Sequence, residues 1–230
     1  QMARLGQRTE NEWVGANTGI MDQMISATGQ DGYALLIDCR DLSTEPHPLP
    51  DGTAVLIMDT MTRHSHTESG YNDRRASCEQ AAAYFGVSHL RDVSLSRLAA
   101  ERSRLDDVTY RRARHVISEN GRVEAAVAAM KSGDAGTLGT MMNGSHASLR
   151  DDFEVTNEAL DIMARVAQAQ PACFGARMTG GGFGGCAVAL VQAEKAQEVA
   201  AAVAAEYEAM TGLQPEIYIT SASAGTAVVE

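Results

Sequence analysis

Two carboxylates and a run of glycines are the residues of this chain whose types and spacing best suit chemistry. Glu10 stands twelve residues before Asp22, and Gly15 between them can turn the chain back, so that both side chains can face one cleft. Asn17 or Thr18 can cap a helix beginning near Gly19, which places Asp22 in or near its first turn, where the positive end of the helix dipole favours an ionised carboxylate. A carboxylate held there suits general-base work. Acidic residues also occupy first turns for stability alone, and Glu10 beside Arg8 and Glu12 reads as well as a solvated helix face. Far downstream, Arg177-Met178-Thr179-Gly180-Gly181-Gly182-Phe183-Gly184-Gly185-Cys186 sets five glycines in six positions ahead of the apolar stretch 187–191. Unshielded backbone N–H groups on a rigid strand suit a phosphate or a sugar, and the same composition marks a bulged strand end where two backbones pack closely.

The glycine loop does not stand alone. Gly19-Ile20-Met21-Asp22-Gln23, Ala34-Leu35-Leu36-Ile37-Asp38-Cys39-Arg40, Ser69-Gly70-Tyr71-Asn72-Asp73-Arg74-Arg75, Arg112-Ala113-Arg114-His115 and Ser148-Leu149-Arg150-Asp151-Asp152-Phe153-Glu154 precede it. In this order and spacing they resemble the galactokinases of the GHMP small-molecule kinase superfamily, over nearly all 230 residues. The resemblance implies transfer of the ATP γ-phosphate to the anomeric hydroxyl of D-galactose with Mg2+. It makes Asp22 the catalytic base and Glu10 a magnesium ligand. Gly19 and Tyr71 become sugar contacts, a phenol being able to donate and accept while its ring covers an apolar sugar face. Gly180, Gly181 and Gly182 would close over the substrates, with loop N–H groups available to anions.

The same resemblance implies an α+β fold: the remnant of an S5-like N-terminal domain over 1–52, carrying the catalytic aspartate helix, and a ferredoxin-like C-terminal domain with extra helices over 53–230. It places the family's N-terminal sugar motif and nucleotide phosphate loop before the matched region, so this piece is expected to need that missing N-terminal half to complete the site and to turn over negligibly alone. Asp59-Thr60 stands where the family often has asparagine followed by serine or threonine, and an added carboxylate near the sugar pocket bears on hydroxyl preference. The neighbouring readings are another GHMP kinase, acting on N-acetylgalactosamine or mevalonate, and a catalytically silent sensor of galactose and ATP. Retention of Asp22 and Glu10 leans against the sensor.

Composition agrees without being specific. A chain of 230 residues, 44% hydrophobic, can bury a sizeable core as one large domain or two small ones. Thirty acidic residues against 19 basic give a net charge of −11, which argues against a nucleic acid backbone or anionic lipid as partner and leaves small molecules. Without an apolar run of about 18 residues or a basic-then-apolar leader, no membrane span or secretion is expected, and the cytoplasm is the expected location. Cys39, Cys78, Cys173 and Cys186 are scattered, as reduced, buried thiols would be. Arg63-His64-Ser65-His66 sets two imidazoles at strand spacing but lacks an acidic or thiol partner, so an exposed loop is expected. Arg74 and Arg75 could steer phosphate, although the nearby Glu79 favours a salt-bridged helix face.

The elements that must position these residues follow from periodicity. Apolar stripes at helical spacing run through Cys78, Ala81, Ala82 and Phe85; Val123, Ala126, Val127 and Met130; Ala159, Ile162, Met163 and Val166; and Ala196, Val199, Ala200, Val203 and Tyr207. Lys131-Ser132-Gly133-Asp134 supplies a helix stop and a new cap, and Asn157 caps the third stripe. The segments 33–39, 53–59, 186–191, 216–220 and 226–229 read as strands, with the Pro-rich segment 43–52 as a connection between units. The opening Met2-Ala3-Arg4-Leu5 reads as mid-helix without a cap.

Overall fold

The computed structural model describes residues 1–15, 19–63 and 67–227, with Thr67, Glu68, Ser69 and Tyr71 described by backbone alone. Helices α1 (Met2–Thr9) and α2 (Met21–Thr28) precede strands β1 (Tyr33–Ile37), β2 (Thr44–Pro48) and β3 (Thr53–Asp59). Then come α3 (Thr67–Phe85), α4 (Leu95–Ala100), α5 (Asp107–Ser132), α6 (Ala135–Ser148) and α7 (Glu158–Gln168), followed by β4 (Cys173–Met178), β5 (Cys186–Gln192), α8 (Ala196–Thr211) and β6 (Glu216–Thr220).

The last four strands form one antiparallel sheet in the order β4-β5-β3-β6. Numbered within the sheet this is a βαββαβ chain in the order 2-3-1-4, the ferredoxin-like arrangement, with α3 to α7 inserted in its first crossover. The α+β expectation holds. Strand alternation sends Leu56 and Met58, Ala176 and Met178, and Ala187, Ala189 and Val191 to one face, where α7 and α8 cover them with Leu160, Met163, Val199 and Val203. On the opposite face Val55 and Leu190 pack against Ala129 and Met130 of α5 and Leu138 of α6. Helix α6 comes so close to β4 that a Cβ at Gly139 or Gly175 would run into the other element's backbone, so glycine at both positions is a condition of this packing.

The local signals behave as chemistry dictates. Gly133 ends α5 in the left-handed conformation at φ 70°, and the Asp134 and Asn157 side chains accept from the Thr137 and Leu160 amides to cap α6 and α7. Helix α1 starts at Gln1 without a side-chain cap. Two strand readings are corrected. The segment 43–52 is more than a connection, because it contains β2, which pairs antiparallel with β1 in a separate two-stranded sheet. Its Pro46 and Pro48 lack N–H donors, which an edge strand tolerates. Thr226 is not in a strand. The segment after β6 crosses to the end of α2, where Gly225 N donates to Gly29 O at 2.9 Å and Thr226 N to Ser26 O at 2.8 Å; Val228 and Val229 lie outside the described residues.

That return segment ties α2 to the chain leaving the four-stranded sheet. Around α2, Ile20 and Met24 join Ala3 of α1 and Leu35 and Ile37 of β1 in a small core. The β1–β2 hairpin is fastened to the helical layer by two reciprocal ion pairs, Asp38 with Arg91 at 2.7 Å and Arg40 with Asp92 at 2.9 Å. No helix of the described residues is long and apolar enough to cross a membrane.

Candidate active site

The glycine loop is the β4–β5 turn, and its sequence explains its path. Gly180, Gly182, Gly184 and Gly185 all have positive φ, from 77° to 145°. A Cβ on Gly182 would collide with the carbonyl of Val155, a residue only 4% exposed. Among the described residues, the loop's Phe183 and Gly185 amides have acceptors, Val155 O at 2.7 Å and Thr62 O at 2.9 Å, whereas Gly180, Gly181, Gly182 and Gly184 show none. The loop is therefore fixed at Phe183 and Gly185, with open donors at Gly180, Gly181, Gly182 and Gly184. The bulged-strand and ligand-cradle readings are compatible here, because close packing on one side leaves amides open on the other.

The end of β3 lies beside it. Fully buried Thr60 donates from N and Oγ1 to Gly185 O at 3.1 and 2.6 Å, and Tyr207 of α8 donates from its hydroxyl to Thr60 O at 2.8 Å. Asp59, the departure noted in the sequence, is not a free carboxylate: Arg63 holds it through both oxygens at 2.8 and 2.5 Å, which keeps its pKa below the usual carboxylate value. Its charge is thus matched within the fold. His64 and His66 lie outside the described residues.

Backbone strain concentrates in the same place. Four non-glycine residues among those described have positive φ, and three of them, Met61 (58°), Glu154 (51°) and Phe183 (62°), sit in or against the glycine loop. Each such residue costs on the order of 1–3 kcal/mol, so their gathering marks a region shaped for something other than stability.

Under this region the two matching stretches on α5 and after α6 prove to be one buried network. His115 Nδ1 lies 3.0 Å from Ser148 Oγ, which donates to Asp152 Oδ2 at 3.1 Å, while Arg114 grips the same carboxylate. With the hydroxyl proton given to Asp152, Ser148 accepts from Nδ1–H. His115 is 6% exposed and stacks on Phe153 at 4.4 Å. Burial pushes it down to about 4 from 6.5, so the fold holds it neutral. Between pH 6.5 and 4 the unfolded chain binds a proton that the folded chain refuses, so stability rises with pH across that window and acid removes it. His115→Gln is expected to cut the pH dependence of the unfolding free energy between pH 6.5 and 4, by up to about 3 kcal/mol over that range in urea titrations. An unchanged slope would refute this.

The other expected site residues are placed as follows. Asp22 lies in the first turn of α2, as the sequence implied, with an exposed carboxylate. The residue at the cap is Ile20, which supplies no side-chain bond; Asn17 and Thr18, the expected caps, lie outside the described residues. Buried Ile20 and Met24 turn one side of α2 inward and leave Asp22 with Met21 and Ile25 on the open side. Glu10 is half-buried at the start of the π-helical turn Glu10–Val14, which Gly15 ends at φ 79°, the reversal expected there. Its neighbours Arg8 and Glu12 make an exposed 3.8 Å pair. Gly19 leads into α2 with nothing within 4 Å of where a Cβ would be. Tyr71 falls in the first turns of α3, and its neighbour Gly70 touches the glycine loop, since a Cβ there would meet the Phe183 ring. The fold thus joins the start of α3 and the end of β3 to the second half of the glycine loop, through Phe183, Gly184 and Gly185, while Asp22 and Glu10 stand on α2 and the preceding turn. Arg75 pairs with Glu79 at 2.9 Å on an exposed face, as expected, but Arg74 does not. The cysteines are all free, yet Cys39 is exposed and the rest half-buried, short of the full burial expected; burial still pushes the Cys78 and Cys173 thiols up to about 11, leaving them unreactive at neutral pH. The anchoring of the loop through Phe183, with Arg74, Asn157 and Thr62 around it, was not read from the sequence, and the one available signal was the lone aromatic residue in a run of glycines.

Comparison with known proteins finds similar chains. Residues 126–209 match the family model described as GHMP kinases C terminal. The galactokinase of Glaesserella parasuis is 46% identical, aligned over the whole of this chain and 61% of its own length, and that of Haemophilus influenzae is 47% identical over 97% of this chain and 59% of its own. The crystal structure of Lactococcus lactis galactokinase complexed with galactose superposes with a TM-score of 0.92 at 37% identity, covering 97% of this chain and 59% of that one. The chain spans about three-fifths of the length of the relatives it matches. Along its length the chain is thus similar to galactokinases, and its residues 126–209 match the C-terminal model of the GHMP kinases.

Proposed function

We propose that this chain is the larger part of a galactokinase, which phosphorylates the anomeric hydroxyl of D-galactose at the expense of ATP. The observation that carries the proposal is the meeting of the glycine loop, the strained end of β3 and the start of α3 at one place, in a chain similar throughout to galactokinases. In this reading Asp22 takes the hydroxyl proton. Its place in the first turn of α2 leaves it exposed, on the side of the helix away from the small core that holds it. Gly19 lets the sugar approach the backbone, Tyr71 offers a phenol to its hydroxyls, and the amides of Gly180, Gly181 and Gly182 face the anionic substrates.

Glu10 is the residue that would hold magnesium. A magnesium ion takes oxygen ligands, keeps several waters and needs only one or two protein carboxylates beside substrate phosphates, and Glu10 fits a site of that kind. The described residues contain no cluster of three or more acidic, histidine or cysteine side chains that could form an all-protein cage. When bound, the ion neutralises charge on the transferring phosphoryl group. The reading also puts the domain boundary between β2 and β3, with 1–52 ending an N-terminal domain and 53–230 forming the C-terminal one. The location it proposes is the cytoplasm, and it needs neither nucleic acid nor membrane.

The test compares two proteins. One is the 230-residue chain; the other is a chimera in which the part of Haemophilus influenzae galactokinase that this chain lacks is joined ahead of Gln1. A coupled ADP-release assay is expected to read background for the chain alone and galactose- and magnesium-dependent turnover for the chimera. Normal turnover by the chain alone, or a folded chimera that binds neither galactose nor ATP by calorimetry, would overturn the proposal.

A further inference from the structure

Arg74 is one residue before Arg75, which pairs with Glu79 on the exposed face, and it turns the other way. From α3 its Nε donates to Phe153 O at 2.8 Å and its Nη2 to Glu154 O at 2.5 Å. These carbonyls are available for a physical reason. The π-helical turn Leu149–Phe153 ends in Glu154 at φ 51°, so the peptide groups of its exit have no helical partners. Arginines from α5 satisfy the remainder: Arg111 donates to Asp151 O at 3.0 Å and Arg112 to Asp152 O, and both grip the Glu154 carboxylate. The next residue is Val155, whose carbonyl receives Phe183 N at 2.7 Å.

Arg74 also touches the loop itself. Its guanidinium carbon sits 5.4 Å from the centroid of the Phe183 ring, and the other surroundings of that ring include Gly70, one turn earlier on the same helix. The Phe183 carbonyl lies 3.4 Å from Asn157 Nδ2. So the one side chain in the run 180–185 is held at its amide, its carbonyl and its ring.

We propose that Arg74 is a positioning residue that locks the glycine loop to the start of α3 through the ring of Phe183, so that the loop and the backbone carrying Tyr71 move as one body. The lock rests on this geometry alone; its consequence for catalysis rests on the kinase reading. It makes the loop a preset wall pinned at Phe183, with the open amides of Gly180, Gly181 and Gly182 left to adjust to a ligand.

Amide hydrogen exchange on the 230-residue chain tests it. Arg74→Gln removes the charge-assisted bonds and the ring contact, and exchange in 180–185 and in 67–72 is expected to quicken together by about ten- to a hundredfold, with α8 unaffected. Arg74→Lys is expected to restore part of the protection, and Arg75→Gln to change nothing. Phe183→Leu keeps an apolar side chain and should loosen the same two segments if Arg74→Gln does not fold. Exchange that stays unchanged in 180–185, or that quickens equally in α8, overturns the lock. In the chimera the two claims separate: a lock that responds without galactose-dependent ADP release removes the kinase reading, and turnover with exchange unmoved removes the lock.

Discussion

Asp22→Asn in the chimera is expected to lower kcat for galactose by about 10²–10⁴, or roughly 3–5 kcal/mol of barrier, while galactose affinity measured by calorimetry changes by less than about threefold. Asparagine keeps the shape and loses the proton acceptor. The helix that carries the residue depends on Ile20 and Met24 for its packing and on the return segment at Ser26 and Gly29 for its anchorage, none of which the substitution touches. Removing a first-turn carboxylate costs helix α2 only about 0.3–1 kcal/mol, too little to unfold the domain. A loss of rate without a loss of binding is therefore the signature of a base, and a variant within tenfold of the parent would leave Asp22 as a helix-stabilising residue. Its exposure fits the first role. The carboxylate lies beside exposed Met21 and Ile25 on the open side of α2.

How much of this could be read from the sequence follows from whether the deciding interactions are local. The stripes through α3, α5, α7 and α8 were legible because burial on one helix face imposes its own period, and Asp134 and Asn157 were legible because a cap acts within three residues. Strand β4 was not. Cys173-Phe174-Gly175-Ala176-Arg177-Met178 has no β-branched residue, and its glycine serves a close approach to α6 that only the fold reveals. The first half of α5 was equally opaque: Arg112 and His115 face inward, 3% and 6% exposed, where a pattern of polar residues suggests solvent. Their burial is explained by carbonyls and carboxylates from the turn after α6, supplied by tertiary structure. The same holds at the site. Composition exposed the glycine loop, and the start of α2 placed Asp22, but the partners of Phe183 stand far upstream on α3 and no local pattern pairs them.

Two glycines of the loop meet different surroundings, and a matched pair of substitutions separates them. Gly180 and Gly182 have nearly the same backbone conformation, φ 77° and 82°, so alanine at either carries a similar left-handed strain of about 1–2 kcal/mol. They differ in what surrounds them. A Cβ at Gly180 meets nothing within 4 Å, whereas at Gly182 it runs into the carbonyl of buried Val155, the acceptor that fixes Phe183. Backbone cannot step aside as a flexible side chain can, so Gly182→Ala must move the loop, adding an overpacking cost of about 1–3 kcal/mol. If these amides face substrate, as proposed, their displacement by about 1 Å can cost about 10²-fold in rate. In the chimera, Gly182→Ala is accordingly expected to reduce kcat/KM by about 10²-fold or more and to lower the urea midpoint clearly, while Gly180→Ala stays within about tenfold with a smaller loss of stability. Equal effects from the two would mean that backbone strain alone governs the loop and that its seat on Val155 contributes nothing. The ordering predicted here requires that the wall of the site be built from backbone packed against backbone, which is the reason glycine is needed at position 182 beyond its tolerance of positive φ.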